Sequence, residues 1–416
     1  MKELSEGLAA RGHDVTVLTT NSPNAWDLWN AKPADLPAME SINGVKIIRL
    51  QPDGGSLATA IRLFWNLPGG HRALNWLLSP PGFDLFMQGP RVFGVIPYLL
   101  RSNADLVAGM NWYWPLGYYC HLARRLKRYK FVGIPLFHTA EDWCGRDVYR
   151  RMLGNCDAVI ANTEFEAEFA RAHGARYAQA VGVGIHPENF EIRDGRAVRE
   201  AHHIGSHPVV GFVGRPMANK GIATVIAAMR QVWKMNSEVR LLIAGPEPPS
   251  STLDVLRLHE LTNEERSRIV RICDFKDADK ASIFDALDVF VLPSVGESFG
   301  IAYLEAWMCG KPVIGARIGP TSNVIDDGKD GLLAKPDDPT DLAAKLLELL
   351  ADPDKRKRMA QNGRTKTLKY YTWERIIDRT EQVYQNVVDG DTQEGKGSER
   401  LAGESAERAN LSGNRS

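Results

Sequence analysis

Cysteine is sparse in this chain: Cys120, Cys144, Cys156, Cys273 and Cys309 are the five among 416 residues. They are odd in number and widely scattered, and no two have Cys-x-x-Cys spacing, which argues against a zinc site and a disulfide framework. Reduced, buried thiols in a cytosolic protein are expected instead. Charge of one sign is also lacking: 51 Lys and Arg offset 51 Asp and Glu, for a formal net charge of +0. That balance argues against the broadly basic surface of a nucleic-acid binder. No apolar run reaches the roughly 18 residues of a membrane-spanning helix, and the N-terminus carries no signal-peptide pattern. The expected location is cytoplasmic. What remains, 44% apolar and 25% charged, is the composition of a soluble globular protein, and at this length two domains are the default.

Strand-like apolar runs alternate with helical patterns. The first helix covers residues 1–12 and ends at Gly12. Strand patterns follow at 15–19, 45–50, 105–108, 131–135 and 158–161, and then at 209–213, 239–244, 289–292 and 312–315. This βα alternation predicts an α/β fold with parallel sheets and covering helices. The expected division is a first domain over 1–192, a polar linker over 193–207, a second domain over 208–372, an amphipathic helix over 373–388 and a disordered tail over 389–416. The tail is rich in Gly, Ser, Glu and Asn and has almost no large apolar side chains. Residues 56–119 are aromatic and broken by Pro and Gly, with Trp65, Trp76, Phe83, Phe86, Trp112 and Trp114 among them. They read either as a surface for sugar faces or lipid, or as an ordinary core packed by loop-rich insertions.

Three segments carry chemistry. The first is Pro293-Ser294-Val295-Gly296-Glu297-Ser298-Phe299-Gly300, continuing into a helix that holds Glu305. It follows the apolar run Val289-Phe290-Val291-Leu292, so Glu297 falls in the loop after a buried strand, where ligands bind in open α/β sheets. A helix start there offers free N–H groups and a positive dipole end for a phosphate. Carboxylates beside it suit sugar hydroxyls, which are hydrogen-bond donors. Phosphate plus sugar points to a nucleotide sugar. The second segment, Gly211-Phe212-Val213-Gly214-Arg215-Pro216-Met217-Ala218-Asn219-Lys220-Gly221, feeds a strand into a glycine-containing turn with two cations. Glycine allows close backbone approach, Arg215 can fork phosphate oxygens and Lys220 adds a point charge. It is not a Walker A loop. The third is Leu136-Phe137-His138-Thr139-Ala140-Glu141-Asp142, which places His138 at the carboxyl end of a strand. No cluster with metal-ligand spacing is read; Asp326 and Asp327 are adjacent and lie in a turn pattern.

Taken in order, Gly-Arg-x4-Lys-Gly and Glu-x7-Glu resemble the signature of glycosyltransferase family 4, over about residues 209–384. The resemblance implies the GT-B fold, with two Rossmann-like doubly wound domains facing each other across a cleft. It implies a retaining transferase that moves a hexose from a UDP-, GDP- or ADP-sugar to a glycan or lipid-linked acceptor. The nucleotide sugar is then the donor substrate, with no further cofactor, no metal and no nucleic-acid partner. By the same resemblance Arg215 and Lys220 hold the diphosphate, Glu297 the transferred sugar and Glu305 the ribose. Gly214, Ser298, Phe299 and Gly300 present backbone to the donor, and His138 faces the donor sugar. Family members place a strand and a glycine-rich loop before a helix like 1–12, so that first strand is expected to be missing here. Peripheral contact with the inner face of the membrane is a further expectation, resting on the aromatic region. Two other functions fit the same residues: a nucleotide-sugar epimerase, and a nucleotide-sugar-binding scaffold without turnover.

Overall fold

The computed structural model describes residues 1–21, 36–52, 63, 91–112, 114–138, 142–246, 258–273 and 275–391. Most of the aromatic segment, Glu141, Asp274 and the tail from 392 lie outside them. The chain divides into two compact units: Met1–Val181 with Ile377–Ser416, and Gly182–Ile376.

In the first unit, β1 (Thr16–Thr20) pairs in parallel with β3 (Val45–Leu50), and β2 (Met39–Ile42) lies antiparallel on β3's other side. A second sheet holds β4 (Leu106–Met110), β5 (Lys130–Ile134), β6 (Ala158–Ala161) and β7 (Ala178–Ala180), parallel and in sequence order. β5 and β6 are apolar nearly throughout because helices cover their sheet, as parallel strands require. Trp112, Tyr119, Phe131, Phe137 and Met152 fill the core and are fully buried. Trp112 therefore belongs to the packed interior rather than to an aromatic surface, and its Nε1–H donates to the Gly109 carbonyl at 3.0 Å. The last helix, Trp373–Asp389, joins this unit from Ile377 onward. There Ile377 packs where a Gly7 Cβ would stand, and Arg11 pairs with Asp378 and Glu381.

The second unit has one six-stranded, wholly parallel sheet: β8 (Val209–Val213), β9 (Arg240–Ala244), β10 (Ile269–Ile272), β11 (Val289–Leu292), β12 (Val313–Ala316) and β13 (Gly331–Ala334). Their spatial order is β10-β9-β8-β11-β12-β13. The chain winds outward from β8 in one direction and then restarts at β11 in the other. Between β8 and β11 the order reverses, and such a switch point, outside the carboxyl ends of the strands, is the place where doubly wound sheets bind ligands.

The structure corrects the expected division. Residues 193–207 are not a linker: they contain the helix Gly195–Ala201, which is built into the second unit. Asp194 caps it by accepting the Ala197 N–H at 2.9 Å, and Gly195 N–H donates to Asp285 at 3.0 Å. Arg199 reaches Asp288 and the Ala286 carbonyl, both at 2.9 Å. The polarity that suggested a linker belongs to a solvated helix whose Arg199 is anchored on the rest of the second unit. The boundary consequently falls at Val181, ahead of 192, and the return falls after Ile376 rather than 372. β2, β7 and β10 are strands that the apolar pattern does not single out; β2 is mostly exposed and β7 has three residues.

Candidate active site

Two loops meet at the switch point of the second unit. After β8 the chain runs through Gly214 and Arg215 into a short turn, Ala218–Lys220, and then the helix Ile222–Met235. After β11 it runs from Pro293 to Gly300 and into the helix Ile301–Met308. The Asn219 carbonyl ties them, accepting from Val295 N–H at 3.0 Å, Gly296 N–H at 3.3 Å and the Ser294 hydroxyl at 3.0 Å. Gly221 makes this approach possible. Its φ is +74°, and a Cβ there would stand 2.4 Å from the Pro293 carbonyl oxygen, closer than any side chain permits.

The loops bring Lys220 and Glu297 together. Lys220 Nζ lies 2.8 Å from Glu297 Oε2, with the side chains 20% and 12% exposed. Beneath them Tyr303 is fully buried and donates its hydroxyl to the Leu292 carbonyl at 2.6 Å. Burial pushes its phenol well up, and the charge of Glu297 adds to that. Arg215 is exposed, and its guanidinium makes no hydrogen bond or ion pair among the described residues. So the two cations of the Gly-Arg-x4-Lys-Gly segment differ: Lys220 is already engaged by a carboxylate and Arg215 is open to an anion. Gly214 donates its N–H to the Ala244 carbonyl at 2.8 Å, and nothing stands within 4 Å of where its Cβ would be.

Gly300, at φ +87°, starts the helix Ile301–Met308. Ser298 is half-buried, while Phe299 is buried and packs edge-on against Tyr371 at 5.3 Å. Glu305, about one turn into that helix, is 8% exposed and pairs with Lys280 at 3.0 Å. Burial raises the Glu305 carboxyl above the usual range, and Lys280 opposes the rise. Lys280 opens the helix Lys280–Asp285 between β10 and β11 and carries no motif that marks it in the sequence.

Asp-x-Asp spacing occurs at Asp352-Pro353-Asp354, at Asp389-Gly390-Asp391 and at Asp277-Ala278-Asp279. There Asp279 accepts the Lys276 N–H at 3.2 Å and caps a short helix. Asn219 had no assigned part, although its carbonyl is the joint between the two loops.

His138 belongs to the first unit and is half-buried. It follows β5 through Leu136, which adopts φ +56°, and Phe137, which sits in a cage of Trp112, Tyr149 and Phe169. The His138 carbonyl accepts the Cys144 thiol at 3.3 Å. Glu166 accepts the Phe137 N–H through Oε1 and the Asn162 N–H through Oε2, both at 2.7 Å. The signal that could have found Glu166 is the capping pattern Thr163-Glu164-Phe165-Glu166. Thr163 does cap the helix Glu164–Ala172, accepting from Glu166 N–H at 3.2 Å, but the Glu166 carboxylate turns away to the two strand ends.

The sequence profile of the family described as glycosyl transferases group 1 matches residues 196–366, and that of the glycosyl transferase 4-like domain matches residues 1–184. The chain is 31% identical over 301 residues to the D-inositol 3-phosphate glycosyltransferase of Corynebacterium urealyticum, with 66% of this chain and 70% of that protein covered. It is 28% identical over 307 residues to the enzyme of that name from Streptomyces bingchenggensis, with 70% and 66% covered. The chain thus spans about two thirds of the length of these relatives. Among solved structures, the sucrose-phosphate synthase of Thermosynechococcus elongatus is similar with a TM-score of 0.70 at 22% identity, covering 94% of this chain and 92% of that one. Anabaena HepE in complex with UDP-glucose is similar with a TM-score of 0.63 at 17% identity, covering 90% and 100%. These likenesses identify the fold as GT-B.

Proposed function

From a chain that belongs to the glycosyl transferases group 1 family, we propose a retaining, metal-independent transferase that moves a hexose from a nucleotide-diphosphate sugar to a glycan or lipid-linked acceptor. The observation that carries this is the meeting of the β8 and β11 loops at the switch point, with Lys220 and Glu297 at 2.8 Å. The diphosphate takes the place of Glu297 as partner of Lys220, and Arg215 closes on it from solvent. That frees the Glu297 carboxylate to accept hydroxyl donors of the sugar. Glu305 accepts from the ribose hydroxyls. The backbone of Gly214 and the N–H groups from Ser298 to Gly300 approach the phosphates.

In the reaction the bond from the anomeric carbon to the diphosphate oxygen breaks, and a bond to the acceptor oxygen forms on the same face. The departing diphosphate takes the acceptor's proton, while Arg215 and Lys220 hold the charge that develops on it. His138 contributes to turnover from the first unit. That a neighbour in fold holds UDP-glucose makes UDP-sugars the first donors to try. The names of the relatives add an inositol phosphate to the acceptors to try beside glycans and lipid-linked ones.

The test is transfer by the purified chain from UDP-, GDP- and ADP-sugars, with chelator present. Acceptor-dependent product of unchanged anomeric configuration is expected. Conversion of donor to another nucleotide sugar without acceptor would make it an epimerase. Tight donor binding with no consumption would make it a scaffold.

A further inference from the structure

The loop bearing His138 is held more tightly than a surface loop needs. Leu136 turns the chain through a left-handed conformation that a non-glycine residue adopts only when its surroundings impose it. Phe137 anchors the next position in an aromatic cage. The Phe137 N–H, which a buried loop must satisfy, goes to Glu166, and the second oxygen of the same carboxylate takes Asn162 N–H. Glu166 is 1% exposed and lies on the first turn of the helix after β6. One carboxylate thereby joins the exits of β5 and β6. A buried charge of this kind is costly, and no stabilising cation accompanies it among the described residues. Packing alone would be served better by an apolar side chain, so the carboxylate's value lies in the two N–H groups it fixes.

We propose that Glu166 is a positioning residue for turnover: by clamping the Phe137 and Asn162 N–H groups it sets the backbone that carries His138. The proposal rests on the role given to His138 above. Both oxygens accept strongly while the carboxyl is ionised; once protonated, one becomes a hydroxyl, a weaker acceptor that also brings a proton in need of its own partner. Burial pushes the Glu166 carboxyl up to about 7, and the two backbone N–H groups hold it down. No charged side chain of β5, β6 or its own helix acts on it among the described residues. Turnover is therefore expected to fall as pH drops through about 7.

The test uses the full chain with Glu166→Gln, in which one of the two N–H groups meets an amide donor. The expected result is kcat lower by about 10-fold or more, with the donor KM within about twofold. The acidic limb near pH 7 should disappear. In a His138→Ala background the same substitution should have no further effect, because the clamp acts through His138. Independently of turnover, amide exchange at Phe137 should accelerate in Glu166→Gln while the melting temperature stays close to that of the parent. Unaltered Phe137 protection, an unchanged kcat, or effects that multiply in the double variant would each overturn the proposal. A His138→Ala variant as active as the parent would remove the role of His138 instead, and this inference with it.

Discussion

Lys220 Nζ and Glu297 Oε2 form an ion pair of 2.8 Å between two loops that leave adjacent strands at the point where the sheet order reverses. Each residue belongs to a different motif. Their pairing gives Lys220 a counter-ion before any ligand enters, so under the proposed function a diphosphate competes with Glu297 for Lys220. Arg215 has no such competitor among the described residues.

Arg215 and Lys220 are accordingly expected to differ on substitution. Arg215→Ala should lower turnover by roughly 10²-fold or more and leave the melting temperature within error, since an exposed side chain is removed. Lys220→Ala should lower turnover to a similar degree and also destabilise the second unit, by up to about 3 kcal/mol, because a largely buried carboxylate loses its partner. Steady-state kinetics and thermal melts on both variants check this. Equal melting temperatures for the two would count against the ion pair as a structural element.

Glu305 predicts a pH dependence of donor affinity. Its folded-state carboxyl lies above the ordinary 4.5, with burial as the main cause and Lys280 opposing. The folded protein therefore binds this proton more tightly than the unfolded chain. The ionisation of Glu305 costs stability that grows as pH rises from 4.5 through the raised value and is constant above it. Lys280→Met should raise the carboxyl further. Under the proposed function the donor KM is then expected to rise several-fold, most at the acid end of the profile, because ribose hydroxyls bond an ionised carboxylate more strongly than a neutral acid. A KM–pH curve for Lys280→Met that overlays the parent's would refute the coupling.

Gly221 should not tolerate a side chain. Alanine there combines φ +74° with a Cβ 2.4 Å from the Pro293 carbonyl, and is expected to destabilise the unit by more than about 1 kcal/mol. Because the displaced loop carries Lys220, donor turnover should fall with stability. A Gly221→Ala protein that melts and turns over like the parent would show that the two loops can separate at no cost.

Limited trypsin digestion distinguishes a linker from a built-in helix at 193–207. Arg193 bonds Asp285 and the Phe190 carbonyl, and Arg199 bonds Asp288, the Ala286 carbonyl and the His207 carbonyl. Cleavage at Arg193 or Arg199 in native protein should be slow, and faster in Asp288→Ala, which removes one partner of Arg199 and the side-chain acceptor of the Val209 N–H. Early cutting at these arginines in the parent would restore the linker.

Much of the second unit was legible in the sequence, because parallel strands covered on both faces are continuous apolar runs. Val289–Leu292 and Val209–Val213 stand out as such, and a glycine-bearing loop after each marks the two halves of the site. Short, mixed or exposed strands such as Ile269–Ile272 and Met39–Ile42 carry no such contrast and were not visible. The helix Gly195–Ala201 was misread as a linker because polarity along the chain does not distinguish a solvated helix face from a flexible connection.

The sequence by itself determined which residue types were present for phosphate and sugar chemistry, and in what order: Arg215, Lys220, Glu297 and Glu305, with glycines where the backbone must turn. Only the tertiary structure decided who meets whom. Lys220 meets Glu297 because β8 and β11, far apart along the chain, are hydrogen-bonded neighbours in the sheet. Lys280 meets Glu305 and Glu166 meets Phe137 for the same kind of reason. Burial, which raises the carboxyls of Glu305 and Glu166, is likewise a property of the packed core, and no local spacing encodes it.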